Sequence, residues 1–287
     1  MRRAAPWSVT EVETIVATYR QMLVAELSGQ RYNKSQLNQA LMERLQDRSR
    51  SSIEYKHRNI SAVLRDADCP YVDGYKPLSN YQGVLVEAVE HVLLGSELFD
   101  RAARFAAERP AVDSAAPADD AIIVMPPEPS RPRQEINEQP AVYERKPLKR
   151  DYLAREAQNR ELGLAGEHFV VSYEQHRLKQ AGHDKLAEKV EHVAETQGDG
   201  AGFDVLSFES DGQERWIEVK TTAFAIESAF FISPNELACS RSYADRYHLF
   251  RLFDFRQRPR MFCLQGDLHD HLWLEPNSYR AGVREAY

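Results

Sequence analysis

The residues with the clearest chemical potential are two carboxylates and a lysine in neighbouring predicted strands. Asp204 enters the first strand, and Glu218 and Lys220 lie two positions apart in the second. Side chains alternate along a strand, so Glu218 and Lys220 project from one face. Carboxylate oxygens suit Mg²⁺, whose other positions take water and a phosphate oxygen, and a nearby ammonium can orient that water. The pattern indicates a metal-dependent phosphodiesterase with Asp204, Glu218 and Lys220 as catalytic residues. The two carboxylates would hold Mg²⁺, or Mn²⁺ as a substitute.

The turn between these strands decides whether Asp204 shares the face of Glu218. Residues 209–214 carry a hairpin signal around Gly212. A two-residue loop would pair Asp204 with Val219 and turn its carboxylate to the opposite face. A three-residue loop, with Gly212 in the left-handed region, would pair Asp204 with Glu218, and we predict this form. An exposed strand of alternating charges is the alternative explanation for the same residues.

The composition of the chain limits the classes of protein to which it can belong. Its 287 residues are 43% hydrophobic and 28% charged with a formal net charge of −7, which is ordinary for a globular protein of two modest domains. No apolar run is long enough for a membrane span and no apolar signal core occurs, so we expect a cytoplasmic protein without membrane contact. The three cysteines lack the spacing of zinc ligands, and neither a P-loop nor a G-x-S-x-G elbow is present. ATP-dependent and serine-hydrolase chemistry therefore have no support.

Three regions of the chain differ in composition. Residues 1–105 have helical periodicity and predict an all-α domain. Residues 106–149 contain eight prolines and predict a linker, whose apolar residues 121–125 could dock on a domain. Residues 150–287 predict a mixed domain that begins with a long helix over 153–180. Strands are then predicted over 203–209, 215–222, 229–233, 247–255 and 260–265, with a helix over 234–242. This order is typical of a layered α/β or α+β fold.

The N-terminal domain contains the most basic structured stretch of the chain. Residues 31–65 include eight lysines or arginines and three acids. A helix that opens with two serines there resembles the second helix of a helix-turn-helix, whose N-terminus binds phosphate and whose longer side chains reach bases. A tyrosine-containing loop over 71–77 could stack on a base. The residues predicted to bind DNA are Arg50, Ser51, Ser52, Lys56, His57, Arg58, Asn59, Tyr75 and Lys76. A solvated helix face, and tyrosines that pack on their own domain, are the alternatives.

The C-terminal motifs resemble a known family. Asp204 followed by Glu218-Val219-Lys220 resembles the PD-(D/E)xK nuclease superfamily. Residues 161–275 are similar to the C-terminal domain named after the plant protein NO VEIN, with shared stretches at 164–167, 189–193, 198–207, 217–222 and 231–237. The resemblance implies a restriction-endonuclease-like αβββαβ core within residues 150–287. It also implies that Glu167 lies at the outer edge of the metal site, and a solvent-facing helix glutamate is the alternative.

The N-terminal region has a resemblance of its own. Residues 7–94, with motifs at 50–60 and 74–82, look like the helical domain that precedes restriction-type nuclease domains. Together the two resemblances imply a Mg²⁺-dependent endonuclease for double-stranded DNA in restriction or anti-phage defence, with modified DNA among its targets. Cutting both strands takes two active sites, which favours a homodimer. The alternatives are a non-catalytic nucleic-acid or protein interaction module with a nuclease-like fold, and a nuclease for RNA or repair intermediates.

Overall fold

The structure is a computed structural model that describes residues 6–45, 47–109, 122–127, 152–197 and 200–275. It has a helical N-terminal module and a C-terminal module built on one mixed β-sheet. The predicted α+β composition is therefore confirmed. Most of the predicted linker over 106–149 lies outside the described residues.

The described part of the N-terminal module has five α-helices. They are α1 (Val9–Leu27), α2 (Lys34–Arg44), α3 (Arg50–Asp66), α4 (Gly83–Ala88) and α5 (Glu97–Glu108), with π-helical turns over Val89–Leu94 after α4. A capping box starts α1, in which Ser8 Oγ accepts from the Glu11 amide and the Glu11 carboxylate accepts from the Ser8 amide. Ser49 caps α3 by accepting from the Ser52 amide.

Helix α1 forms the centre of this module because one of its faces is fully buried. Val12, Ile15, Val16 and Leu23 on this face have no solvent exposure. The buried Tyr19 hydroxyl lies 2.7 Å from Ser61 Oγ on α3 and accepts a hydrogen bond from the Val72 amide. The helix therefore binds both α3 and the loop over 71–77 to one core.

An ion pair between Glu11 and Arg48 ties the start of α1 to the start of α3. Arg48 Nε and Nη2 donate to the two carboxylate oxygens of Glu11 at 2.7 and 2.9 Å. The hydrogen bond from Arg48 lowers the pKa of Glu11 from 4.5 to about 2. A carboxyl group whose pKa is lower in the folded state stabilises the fold above its unfolded pKa, and that stability is lost as the pH falls towards its folded pKa.

We therefore expect Glu11→Gln to destabilise the protein by about 1 kcal/mol at pH 7, because charge-assisted hydrogen bonds are lost from a partly exposed site. The difference from the wild type should shrink as the pH falls from 4.5 towards 2. Thermal unfolding across this range measures it. Glu13→Gln, at an exposed position of the same helix, is the matched control. A difference for Glu11→Gln that does not change with pH would contradict the ion pair.

The C-terminal module is organised around five strands among its described residues. They are β1 (Glu191–His192), β2 (Val205–Phe208), β3 (Glu214–Thr221), β4 (Tyr247–Phe253) and β5 (Arg260–Gln265), in the spatial order β1-β2-β3-β4-β5. Strands β3 and β4 are parallel and the other neighbouring pairs are antiparallel. The helices are α6 (Tyr152–Ala157), α7 (Arg160–Gln180), α8 (Asp184–Ala187), α9 (Val193–Gln197) and α10 (Pro234–Ser242).

Helices cover both faces of the sheet. Leu162, Phe169 and Val170 on α7 pack against one face, which includes Ile217 and Val219. Helix α10, the crossover between β3 and β4, packs on the other face with Cys239 and Leu237 near Trp216, Tyr247 and Leu249. Strand β3 therefore presents odd positions to α7 and even positions to α10.

Two sequence predictions for this module are wrong. Residues 229–233 form no strand, because Phe230 and Ile232 pack into the α10 face of the sheet from an irregular segment. The helix predicted over 153–180 is two helices, since Asn159 caps α7 by accepting from the Leu162 amide. The docking of residues 121–125 is confirmed for the described residues 122–125: Val124 donates its amide to Met261 O at 2.9 Å beside β5, and Ile122 is buried.

The two modules meet along α6. Tyr152 belongs to the core of the helical module and donates a hydrogen bond to Asp100 on α5. Four residues later, the buried Glu156 accepts hydrogen bonds from Thr222 Oγ1 and the Ala223 amide, just past the end of β3. The helical module is thus connected to the strand that carries Glu218 and Lys220. Within the described residues, no helix has the length and apolar character needed to cross a membrane.

Candidate metal centre

The hairpin between β2 and β3 has the register that the metal-site hypothesis requires. Val205 pairs with Ile217 and Phe208 with Glu214. The Glu209 amide donates to Gln213 O at 2.7 Å across a loop of three residues, and Gly212 has a φ of 92°. This register sets Asp204 opposite Glu218. The predicted three-residue loop is confirmed.

The backbone and the carboxylate of Asp204 are both anchored. Its amide donates to Ile217 O at 2.9 Å, and its carbonyl accepts from the Val193 amide at the start of α9 at 2.8 Å. Oδ2 of its carboxylate accepts from the Val219 amide at 2.8 Å, at a point on β3 just beyond the partner of the first residue of β2. Asp204 is therefore held against the residue that separates Glu218 from Lys220.

Lys220 lies between two carboxylates. Its Nζ is 2.6 Å from Glu218 Oε1 and 2.8 Å from Glu236 Oε2. Glu236 also completes a capping box with Ser233 at the start of α10. Because Glu236 lies in the first turn of α10, its carboxylate can cap the helix and contact Lys220 at the same time.

The centre has more carboxylates than cations, and one of the carboxylates, Glu218, is buried. Burial, and then the charge of Glu167, raise the pKa of Asp204 to about 6. Burial raises the pKa of Glu218 well above its usual value even though Lys220 opposes the shift. Burial lowers the pKa of Lys220, but Glu218 and Glu236 outweigh it and the net shift is upward. One ammonium among these carboxylates leaves an environment that a divalent cation with oxygen ligands would neutralise, so the donor set fits Mg²⁺.

Glu167 reaches the edge of this centre from α7. Its carboxylate influences Asp204 electrostatically, and its Oε2 lies 2.6 Å from His192 Nε2. The adjacent Gly166 lets α7 approach β3 closely, since a Cβ built there would be 2.9 Å from Thr221 Cβ and would overlap Thr221 Oγ1. Sequence reasoning missed His192, although it lies in one of the shared stretches and is followed three positions later by Glu195.

The glycine-containing loop before Asp204 is fixed to the α10 side. Gly202 has a φ of 84°, and a Cβ there would lie 3.0 Å from Cys239 Cβ. Asn235 Nδ2 donates to Gly200 O at 3.2 Å, and the Tyr247 hydroxyl donates to Gly202 O at 3.3 Å. The glycine is needed for the backbone conformation and for close packing on α10.

Four of the nine residues predicted to bind DNA are buried, so they do not form the DNA-binding surface that the sequence indicated. Lys56, His57, Asn59 and Tyr75 are all buried. Lys56 Nζ lies over the Trp7 ring at 5.0 Å from its centroid. Asn59 Nδ2 donates to two backbone carbonyls at the end of the loop that follows α3.

His57 and Tyr75 are core residues of the helical module. The His57 ring lies 5.6 Å from Tyr19 and 4.8 Å from Tyr75, and burial lowers its pKa to about 3. The Tyr75 hydroxyl accepts from Asn38 Nδ2 at 3.1 Å. These polar side chains face inward because they share the helical face of Ile53 and Ile60 or pack on it. The alternative of tyrosines that pack on their own domain is the correct one.

The remaining residues of that set surround the start of α3 and the loop after it. Arg50, Ser51 and Lys76 are exposed, and Ser52 and Arg58 are half-buried. Arg50 forms an exposed ion pair with Glu54, and Arg58 Nε donates to Lys76 O. The surface available for a polyanion is therefore smaller than the sequence indicated.

Comparison with known protein families gives a match to part of the chain. Neither the curated proteins nor the solved structures include a match. The sequence model of one family matches over a stretch that contains Glu167, Asp204, Glu218, Lys220 and Glu236. The resemblance stated from the motifs is thereby confirmed, since residues 166–264 match the family described as Protein NO VEIN, C-terminal.

Proposed function

We propose that the C-terminal module is a Mg²⁺-dependent nuclease that hydrolyses phosphodiester bonds in DNA. The observation that carries the proposal is the pairing register that sets Asp204 opposite Glu218, with Lys220 held beside them. The family match and the agreement with the PD-(D/E)xK pattern support it.

Each residue of the centre has a part in this chemistry. The carboxylates of Asp204 and Glu218 would hold Mg²⁺, with Glu167 at the outer edge. When bound, the ion would act as a Lewis acid on the scissile phosphate. The Lys220 ammonium, fixed by two carboxylates, would orient the attacking water and stabilise the negative charge that develops on the phosphate oxygens. Burial of Glu218 keeps bulk water away from these charges and strengthens their interactions.

The direct test of the proposal is incubation of the protein with supercoiled plasmid and with phage DNA, in Mg²⁺ or in excess chelator. Nicked or linear products that require Mg²⁺ would support a nuclease. A parallel assay with RNA decides between the two substrate classes that the sequence left open. Metal-independent results, identical for wild type and a Lys220→Ala variant on every substrate, would favour the non-catalytic interaction module instead.

We also propose that the helical module binds double-stranded DNA through Arg50, Ser51 and Lys76, the exposed members of the predicted set. Restriction or anti-phage defence, and a homodimer that cuts both strands, are part of this proposal. Because phosphate contacts release counterions, the double variant Arg50→Ala/Lys76→Ala should bind duplex DNA more weakly and with a smaller dependence on salt.

Fluorescence anisotropy over a series of salt concentrations measures that prediction. Arg101→Ala/Lys185→Ala, which removes two exposed cations elsewhere, is the control and should retain the wild-type salt dependence. Equal salt dependence for both double variants would show that DNA binds another surface.

A further inference from the structure

A second group of metal-ligating side chains lies beside the candidate centre, on the outer side of Glu167. It consists of His168 on α7, His192 at the end of β1 and Glu195 on α9. One ligand atom from each residue lies within 4.8 Å of the others. His192 is nearly buried, and His168 and Glu195 are about half or more exposed.

The spacing of these atoms approaches that of a tetrahedral metal site. Glu195 Oε2 is 3.1 Å from His192 Nδ1 and 3.9 Å from His168 Nε2. In a zinc site with bonds of about 2.0–2.1 Å, neighbouring ligand atoms lie roughly 3.3 Å apart. Small side-chain adjustments at the two exposed residues would therefore suffice to bind an ion.

The hydrogen bonding of His192 leaves a position for a cation. Its Nε2 lies 2.6 Å from Glu167 Oε2 and its Nδ1 lies 3.1 Å from Glu195 Oε2, so both ring nitrogens face carboxylate oxygens. A neutral imidazole has one N–H. With that proton on Nε2 and donated to Glu167, the Nδ1 lone pair points towards the Glu195 carboxylate, so both atoms are available as ligands of one cation.

We propose that His168, His192 and Glu195 form a binding site for a transition-metal dication of the Zn²⁺ class. Two imidazoles and one carboxylate are a ligand set that such ions favour, whereas the oxygen-only set of Asp204 and Glu218 suits Mg²⁺. The exposure of His168 and Glu195 leaves the fourth position to water.

Glu167 then orients the ligand His192. Metal-bound histidines commonly donate their second N–H to a carboxylate, which fixes the tautomer and the ring. The bound ion would join α7 to the β1–α9 segment and hold Glu167 next to Asp204, so the site links metal binding to the geometry of the neighbouring centre. The proposal does not depend on nuclease activity.

The test is Zn²⁺ binding by the full chain after removal of metals with chelator. Mass spectrometry of metal content and the visible absorption of Co²⁺-loaded protein report occupancy and coordination. With excess Mg²⁺ present to compete at the centre of Asp204 and Glu218, the wild type should bind Zn²⁺, and His168→Ala, at an exposed position, should weaken that binding at least about tenfold, as loss of a ligand or its partner does. His269→Ala, at an exposed histidine elsewhere, should leave Zn²⁺ affinity unchanged.

Asp204→Asn separates this site from the neighbouring one. Zn²⁺ that still binds to Asp204→Asn, and that binds at least about tenfold more weakly once His168→Ala is added to that variant, is held by His168, His192 and Glu195 and not by the neighbouring centre. Absence of Zn²⁺ binding by the wild type, equal binding by wild type and His168→Ala, or loss of binding in Asp204→Asn would each overturn the proposal. None of these results depends on DNA cleavage.

Discussion

Replacing Lys220 with alanine is expected to lower the rate of Mg²⁺-dependent DNA cleavage by about two to four orders of magnitude, because general acid–base and electrostatic groups contribute on that scale. The ammonium lies 2.6 Å from the buried Glu218 and 2.8 Å from the half-buried Glu236, so its removal also leaves both carboxylates without their shared cation. Single-turnover cleavage of a supercoiled plasmid measures the loss.

The control for this prediction is Lys185→Ala, which removes an exposed lysine from α8 in the same module. It should cleave at the wild-type rate. Circular dichroism and thermal unfolding establish that Lys220→Ala remains folded. If the folded Lys220→Ala variant cleaves as fast as the Lys185→Ala control, Lys220 has no catalytic part.

Among the described glycines of the C-terminal module, Gly166 should be the one least able to accept an added methyl group, as in Gly166→Ala. The new Cβ would lie 2.9 Å from Thr221 Cβ and overlap its hydroxyl, so α7 has to move away from β3. Overpacking of this kind costs about 1–3 kcal/mol. Because Glu167 follows directly and Lys220 precedes Thr221, a displacement of about 1 Å would also lower cleavage by roughly 100-fold.

Gly163→Ala provides a matched comparison on the same helix. A Cβ there would have its nearest neighbour at 3.8 Å, which is ordinary van der Waals contact. Replacement of a helical glycine by alanine should stabilise the protein by up to about 1 kcal/mol. Thermal unfolding and cleavage rates of the two variants test the pair. Similar behaviour of both variants would contradict the close packing of α7 on Thr221.

The sequence was sufficient for features that depend on local chemistry. The turn at Gly212 determined the β2–β3 register, since only a loop with an odd number of residues sets Asp204 opposite Glu218. The helix over Pro234–Ser242 was predicted with its observed bounds. In each case a few adjacent residues specify the conformation.

Features that depend on distant partners could not be predicted. The polarity of Lys56 and Asn59 suggested solvent, but Trp7 and the carbonyls of Leu78 and Asn80 give them partners inside the module. The apolar residues over 229–232 suggested a strand, yet Phe230 and Ile232 pack on the α10 face of the sheet from an irregular segment. The contact of His192 with Glu167 joins residues that are 25 positions apart, and no local pattern encodes it.

The most direct test of the central claim is the position of the metal. Crystals of the Lys220→Ala variant with Mn²⁺ and a short DNA duplex would retain both proposed ligands while slowing cleavage. Anomalous scattering at the manganese edge should place an ion between the carboxylates of Asp204 and Glu218, in contact with a phosphate oxygen of the DNA. Bound DNA without an anomalous peak at these two carboxylates would contradict the assignment of this centre as a metal-dependent nuclease.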